Sequence, residues 1–359
     1  MRHPSNLLLL SRYDRRGPSS RMRLMQFIPL LEEAGFSVVT DSLFDAEYLD
    51  ALYARKRNPG AILRAYWRRL ACLREARNID LIWLQKEALP WFPATAERLL
   101  LPKGVPLVVD FDDAVFHRYD QHPSPVVRGL LGQKIARVME RADLVLAGND
   151  YIGAYATNAG ARNVQIVPTV VDTEAYDARP RTPPSETVTI GWVGTPGTWR
   201  GCVAPFLPDI LETLRVLSAR ILAVGAGEDV SEDLLLNVKP WSEDREAIDM
   251  RDMDVGIMPL PDTPWMRGKC GYKLIQYMAS GLPVVASPVG VNTEIVDHGV
   301  NGFLANTADE WRSALETLIG DPELRRRMGR AGREKVERKF SLEVQGPRVI
   351  GHLTGLARQ

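Results

Sequence analysis

Residues Asp254 to Leu304 read DVGIMPLPDTPWMRGKCGYKLIQYMASGLPVVASPVGVNTEIVDHGVNGFL. A strand-like run, Val255 to Met258, leads into a Pro/Gly-rich loop. A helix is expected to open near Gly271, carry Lys273, Gln276 and Tyr277, and stop at Gly281. Pro283 then admits the next strand, Val284–Ala286. Strand, loop, helix and strand in this order are the repeating unit of an α/β fold. Lys269 and Lys273 are four apart around the helix start and share a face if the first turn begins early. First-turn N–H groups, the positive end of the helix dipole and two ammonium groups would then converge on one spot, which suits a diphosphate. Read without that convergence, the segment is an ordinary loop and helix with two solvated lysines.

The rest of the chain alternates in the same way. In the N-terminal half the expected strands are Asn6–Leu10, Ser37–Thr40, Leu81–Leu84, Leu107–Phe111, Leu144–Ala147 and Val164–Val167, with a first helix over Arg21–Ala34 ended by Gly35. After a Pro-rich connector, Arg179–Pro184, the strands are Val188–Val193, Arg220–Val224, Val255–Met258, Val284–Ala286 and Gly302–Leu304. At 359 residues the chain has room for two domains. Lys+Arg and Asp+Glu are both 45, so net charge selects no partner. Cys72, Cys202 and Cys270 are scattered and odd in number, which speaks against a disulfide framework or a zinc site and for a reducing compartment. No secretory pattern and no run long enough to span a membrane is read. The expectation is a cytoplasmic protein.

The segment around Gly271 resembles the nucleotide-sugar site of the retaining GT-B glycosyltransferases of family 4 (glycosyl transferases group 1). Gly271, Met278, Ala279, Gly281, Pro283, Val284 and Val285 fit its E-x-x-G-x-x-x-x-E-A-M-A-x-G-x-P-V-V pattern. Gly290, Glu294, Ile295, Val296, Gly299, Asn301, Gly302, Phe303 and Leu304 fit the stretch that follows. Two positions depart. The family's second Glu, which holds the ribose hydroxyls, falls on Gln276, whose amide still donates and accepts. The first Glu, which touches donor-sugar hydroxyls, falls on Gly268. The resemblance implies an α/β GT-B fold: two Rossmann-like domains facing each other across a cleft. Residues 1–173 would form the acceptor side and 174–340 the donor-binding domain, with a helix over 341–359 crossing back to the first domain.

On that resemblance the donor, a UDP- or GDP-sugar, is bound by Gly271, Tyr272, Lys273, Gln276 and Lys269. Gly194 fits the turn after the first strand of the second domain. Thr195 stands where the family carries a diphosphate-binding Arg, and Arg200 is a substitute for it. Trp241 lies where the family holds the base, and equally suits a buried core position. That first strand is followed by no G-x-G-x-x-G, so a nicotinamide cofactor is poorly supported. No cofactor and no metal are expected.

In the N-terminal half, Asp110, Asp112 and Asp113 crowd the end of one strand, where ligands of open α/β sheets sit. Asp112 falls where the family often has a His near the anomeric centre, Asp113 follows it, and His117 is five residues on. As catalytic residues the reading takes Asp112 and Lys273; the plain alternative is that Asp112 and Asp113 cap a helix. The loop carrying Arg16, Gly17, Ser19 and Arg21 follows the first strand and is either a phosphate- or acceptor-closing loop or a simple connector.

Arg55–Arg77 is Arg-rich, with Ile62, Leu63, Tyr66, Trp67, Leu70 and Leu73 at helical spacing. Such a stripe either packs on the core or touches anionic lipid, the latter suiting a peripheral enzyme on the inner membrane face whose acceptor is a saccharide or lipid-linked glycan. On the lipid reading, replacing Trp67, Arg68 and Arg69 abolishes vesicle binding and preserves the fold. No nucleic-acid-binding module is read. The expected function is transfer of a sugar with retention, in cell-surface polysaccharide or glycolipid synthesis. The alternatives are a nucleotide-sugar epimerase on the same fold and a non-catalytic nucleotide-sugar-binding protein.

Overall fold

The computed structural model describes residues 5–176, 178, 187–230 and 235–358. The Pro-rich connector read at Arg179–Pro184 lies outside them. The chain forms two compact units. One comprises Met1–Thr169, Arg267–Cys270 and Gln345–Gln359; the other comprises Val170–Met266 and Gly271–Val344.

The first unit holds strands β1 (Ser5–Tyr13), β2 (Phe36–Phe44), β3 (Leu81–Gln85), β4 (Leu107–Phe111), β5 (Leu144–Ala147) and β6 (Val164–Ile166). They form one parallel sheet in the order β2-β1-β3-β4-β5-β6. Leu7 to Leu10 are at most 1% exposed, as expected of a central parallel strand covered on both faces, which reads as a continuous apolar run. The strand order reverses between β1 and β3.

The second unit holds β7 (Thr189–Val193), β8 (Arg220–Val224), β9 (Leu236–Lys239), β10 (Val255–Met258), β11 (Val284–Ala286) and β12 (Gly302–Leu304). This sheet is also parallel, in the order β12-β11-β10-β7-β8-β9, with its reversal between β7 and β10. Two six-stranded parallel sheets built this way are the two Rossmann-like units of the GT-B plan. Ligands of such sheets bind beyond the carboxyl ends of the strands at the reversal point. Topology alone therefore points to the ends of β1 and β3 in one unit and of β7 and β10 in the other.

Two local expectations are corrected. The first helix is not continuous from Arg21 to Ala34. It is a helix over Pro18–Arg23, a 3-10 turn over Met25–Phe27 and a helix over Ile28–Glu33. Pro29, which lacks an N–H, is tolerated because it stands in the first turn of the last piece. The edge strand β9 was missed: it is short and mixes one buried, one exposed and two half-buried residues, so it carries neither a continuous apolar run nor strict alternation.

Candidate functional site

In the first unit, the ends of β1, β3 and β4 carry a connected set of charged and hydroxyl side chains. Asp110, the last but one residue of β4, accepts from Arg23 Nε at 2.7 Å and Nη2 at 3.0 Å, with both side chains buried. Burial raises the Asp110 carboxyl above its ordinary value even against Arg23. Just past β3, Lys86 adopts φ +64°, a left-handed conformation that costs a non-glycine residue free energy and is characteristic of functional turns. That turn brings its buried ammonium to 2.9 Å from Asp112 Oδ1 and 3.1 Å from Asp113 Oδ2.

Lys269 Nζ approaches Asp113 Oδ1 at 3.3 Å. Burial works against the charged form of Asp113, yet Lys269 and Lys86 outweigh it and hold the carboxyl well below the usual carboxylate range. The stability this pairing contributes is fully present above the unfolded carboxylate value and is lost as pH falls through the depressed folded one. Asp113 in turn pushes the Lys269 ammonium above its ordinary value.

Neither Asp112 nor Asp113 caps a helix: the next one, His117–Asp120, follows Phe116 and has no side-chain cap. Asp112 accepts instead from the Ser19 hydroxyl. Ser19 also accepts from Gln85 Nε2 at 2.9 Å, and Gln85 Oε1 accepts from Ser20 Oγ at 2.7 Å and from the Arg12 N–H at 2.9 Å. The short helix after β1 is thus tied through Ser19 and Ser20 to Gln85 at the end of β3 and to Asp112 just past β4.

The segment Arg267–Cys270 packs on these acids. A side chain at Gly268 would place its Cβ 2.4 Å from Ala114 Cβ and 2.7 Å from Ala114 N. No glutamate fits there, which gives the departure at Gly268 a steric reason. Asn149 donates to the Gly268 and Lys269 carbonyls, each at 3.0 Å, and Cys270 Sγ donates to Asp112 O at 3.1 Å. These bonds fix where Lys269 leaves the backbone.

Other residues singled out in this half have separate partners. His117 is held by Asp120 at Nδ1 (2.9 Å) and by the Tyr151 hydroxyl at Nε2 (2.8 Å). Arg16 pairs with Asp50 in an exposed ion pair, and Gly17 is the N-cap of the Pro18–Arg23 helix. Arg21 is buried and donates to the Arg15 carbonyl at 3.3 Å.

Sequence reasoning missed a second buried cluster nearby. Glu87 accepts from Arg12 at 2.9 Å, from Lys134 at 2.6 Å and from the Tyr119 hydroxyl at 2.8 Å, and Lys134 also reaches Glu97 at 2.9 Å and the Leu89 carbonyl at 2.6 Å. It braces the turn that presents Lys86. The only sequence signal was its place directly after β3.

In the second unit the expected helix is present as Tyr272–Ala279. Gly271 precedes it with φ +64°, and a Cβ there would stand 2.2 Å from Ile295 Cδ1. Glycine is required on both counts. Gly271 brings no capping side chain to this helix start. Lys273 is half-buried, its ammonium 5.7 Å from the Trp192 ring centroid. Its Cε lies 2.8 Å from where a Cβ on Gly194 would be. Gly194 directly follows β7, so Lys273 stands at the reversal point that topology selects.

Lys273 and Lys269 therefore have different neighbours: Trp192 and Gly194 for one, Asp113 for the other. Thr195 exchanges a hydrogen bond with Thr198 at 3.1 Å. Arg200 belongs to a five-residue turn of π-helix, Trp199–Val203, and pairs with Asp229 at 3.2 Å. Trp241 is half-buried against the core beside Gly225. Gln276 is 1% exposed; its amide donates to the Tyr176 hydroxyl at 3.0 Å and to Glu246 Oε1. Sequence reading found Gln276 but neither of these partners, because no motif marks them.

Residues 188–321, which contain Trp192, Gly194, Glu246 and the Tyr272–Ala279 helix but not Tyr176, match the family model described as glycosyl transferases group 1. This part of the chain is similar to the group 1 glycosyl transferases. Among curated relatives, N-acetyl-alpha-D-glucosaminyl L-malate synthase of Bacillus anthracis is 29% identical over 133 residues, 35% of either chain. Human alpha-1,3/1,6-mannosyltransferase ALG2 is 35% identical over 83 residues, 23% of this chain and 20% of that protein. The chain thus matches about a third or less of the length of these relatives.

Among solved structures, HepE of Anabaena in complex with UDP-glucose superposes with a TM-score of 0.72 at 17% identity, covering 98% of this chain and 99% of that one. The sucrose-phosphate synthase of Thermosynechococcus elongatus gives 0.71 at 16%, covering 98% of both. These likenesses show that the whole chain has the fold of those proteins. The matched segment contains the glycine-led helix with Lys273 and Gln276 and the turn at Gly194.

Proposed function

We propose that the chain is a glycosyltransferase that moves a sugar, with retention, from a UDP- or GDP-sugar to a saccharide or lipid-linked glycan acceptor in cell-surface polysaccharide or glycolipid synthesis. The observation that carries this reading is the group 1 domain at 188–321 with Lys273 at its helix start beside Gly194. In this reading the second unit holds the donor diphosphate at Gly271, Tyr272, Lys273 and the Gly194–Thr195 turn, with Gln276 toward the nucleoside and Trp241 beside the base. Asp112 and Ser19 in the first unit orient sugar or acceptor, with Lys86, Lys269 and Asp113 fixing their charge.

Structures similar in fold include one with UDP-glucose bound, which supports a nucleotide-sugar donor as the chemical class. Release of free nucleoside diphosphate that depends on added acceptor tests the proposal. Interconversion of the donor sugar without such release would mean an epimerase. Tight donor binding without turnover across many acceptors would mean a binding protein.

The lipid-linked form of the acceptor draws support from the helix Pro59–Glu75. The helix turns Ala61, Ala65, Arg69 and Leu73 inward, so the apolar stripe is divided: Leu63 is 61% exposed and Trp67 66%. These two stand four apart on the outward face, an apolar pair that the core does not cover. Arg69 is not part of the outer face, contrary to expectation. It is buried, pairs with Asp41 and donates to the Ser11 and Ala88 carbonyls, so its removal would damage the fold. Among the described residues no helix is long and apolar enough to cross a membrane.

In this reading Leu63, Trp67 and the exposed Arg64 and Arg74 meet an anionic surface peripherally. Trp67→Ala with Arg74→Gln should weaken cosedimentation with phosphatidylserine vesicles by about tenfold or more, from a lost interfacial ring and a surface cation worth about 1 kcal/mol. Melting should be unchanged, and added salt should weaken wild-type binding. A wild-type protein that ignores such vesicles at low salt would leave the acceptor a soluble saccharide.

A further inference from the structure

Gln276 is a fully buried amide whose hydrogen-bonding capacity is half spent. Its Nε2 carries two hydrogens, and both have acceptors: the Tyr176 hydroxyl at 3.0 Å and the Glu246 carboxylate. Its carbonyl oxygen has no partner among the described residues. That oxygen is not among the fully enclosed polar atoms without a partner, so it is open to water or to a ligand. Glu246 is itself buried, in the short helix Glu246–Asp249, and a carboxylate can only accept from its neighbour. That settles which way the amide faces: nitrogen toward Glu246, oxygen outward.

We propose that Glu246 is the positioning residue of the donor site. By holding the Gln276 amide in one orientation, it offers the ligand an acceptor only, so the site selects a nucleoside moiety that presents a hydrogen-bond-donating hydroxyl. The inference rests on the nucleotide-sugar reading above and assigns the pair within it. One negative charge is kept in the pair, but it stands on Glu246 rather than on the residue of the Tyr272–Ala279 helix. A glutamate at 276 would therefore not improve the site. It would set two carboxylates in contact within a buried place, where like charges oppose each other's ionisation.

Three variants and two probes test this. The wild-type protein should bind UDP or GDP more tightly than the 2′,3′-dideoxy form of the same nucleotide, by on the order of tenfold, as calorimetric titration reads it. Glu246→Ala frees the amide to turn over and should abolish most of that discrimination while leaving dideoxynucleotide affinity nearly unchanged; a merely structural role would weaken both nucleotides alike. Gln276→Glu should melt earlier than wild type at pH 8 and bind the hydroxyl-bearing nucleotide on the order of tenfold more weakly. The exchanged pair Gln276→Glu with Glu246→Gln should recover both properties, because an amide again faces a carboxylate.

Discrimination that survives in Glu246→Ala, or an exchanged pair no better than Gln276→Glu alone, overturns the proposal while leaving the donor reading intact. A folded wild-type protein that binds neither UDP nor GDP overturns the donor reading and this one with it.

Discussion

Replacing Lys273 with alanine should lower turnover on the order of a hundredfold or more, the scale of losing one preorganised electrostatic group. When the bond to the anomeric carbon breaks, negative charge grows on the departing phosphate oxygen. A cation fixed nearby is worth more in that transition state than in the ground state, which is the condition for raising kcat rather than only tightening binding. The structure supplies the fixing. The Lys273 stem is half-buried, passes beside Gly194 where a side chain would collide with it, and ends over the Trp192 ring.

The same surroundings make Lys273→Arg a poor rescue. A planar guanidinium is wider than an ammonium and does not replace a compact point charge in a shaped space. Steady-state kinetics with saturating donor and acceptor read the result, and a thermal melt shows that each variant is folded. Wild-type turnover in Lys273→Ala would make the lysine an ordinary helix residue resting on a tryptophan.

How much of this was legible in the sequence follows from how local each cause is. Gly271 and Gly281 both take positive φ, and punctuation of that kind is written in single residues, so the Tyr272–Ala279 helix could be placed from sequence. The strand cores were legible because both faces of a parallel strand are covered. Of the twelve strands among the described residues eleven were read, and the exception, β9, lies at a sheet edge.

What escaped depends on residues far apart in the chain. Gly268 looks like a lost ligand until Ala114 is seen to fill the space a side chain would need. Arg69 reads as one more surface cation, and only Asp41, 28 residues away, reveals it as a buried one. The role of Gln276 is set by Glu246, 30 residues away and in no motif. Crowding of Asp110, Asp112 and Asp113 was legible as a site needing cations. Which cations meet Asp112 and Asp113 was half legible: Lys269 was found for other reasons, and Lys86 needed its left-handed turn to be seen.

Asp112→Asn should cut kcat by about a hundredfold, a conservative loss for a group acting on the reacting sugar or acceptor. It should change the dissociation constant for the free nucleoside diphosphate by no more than about threefold, since the residues assigned to the nucleotide belong to the other unit. Asparagine keeps the shape and retains an oxygen for the Ser19 hydroxyl. What it removes is one of the two carboxylates facing the buried Lys86 ammonium, leaving Asp113 to serve both Lys86 and Lys269.

That loss has a structural consequence as well as a chemical one, so the melting temperature must be measured beside the kinetics. A fall in kcat with little change in melting assigns Asp112 to the reaction. A lower melting temperature with unchanged kcat assigns it to holding Lys86 in its left-handed turn. Lys86→Met separates the two further: it leaves Asp112 charged but unpaired, and should destabilise the fold by about 3 kcal/mol or more, as removing one partner of a buried ion pair does. If Asp112→Asn is neutral in both respects, the Asp112 carboxylate contributes to neither turnover nor stability.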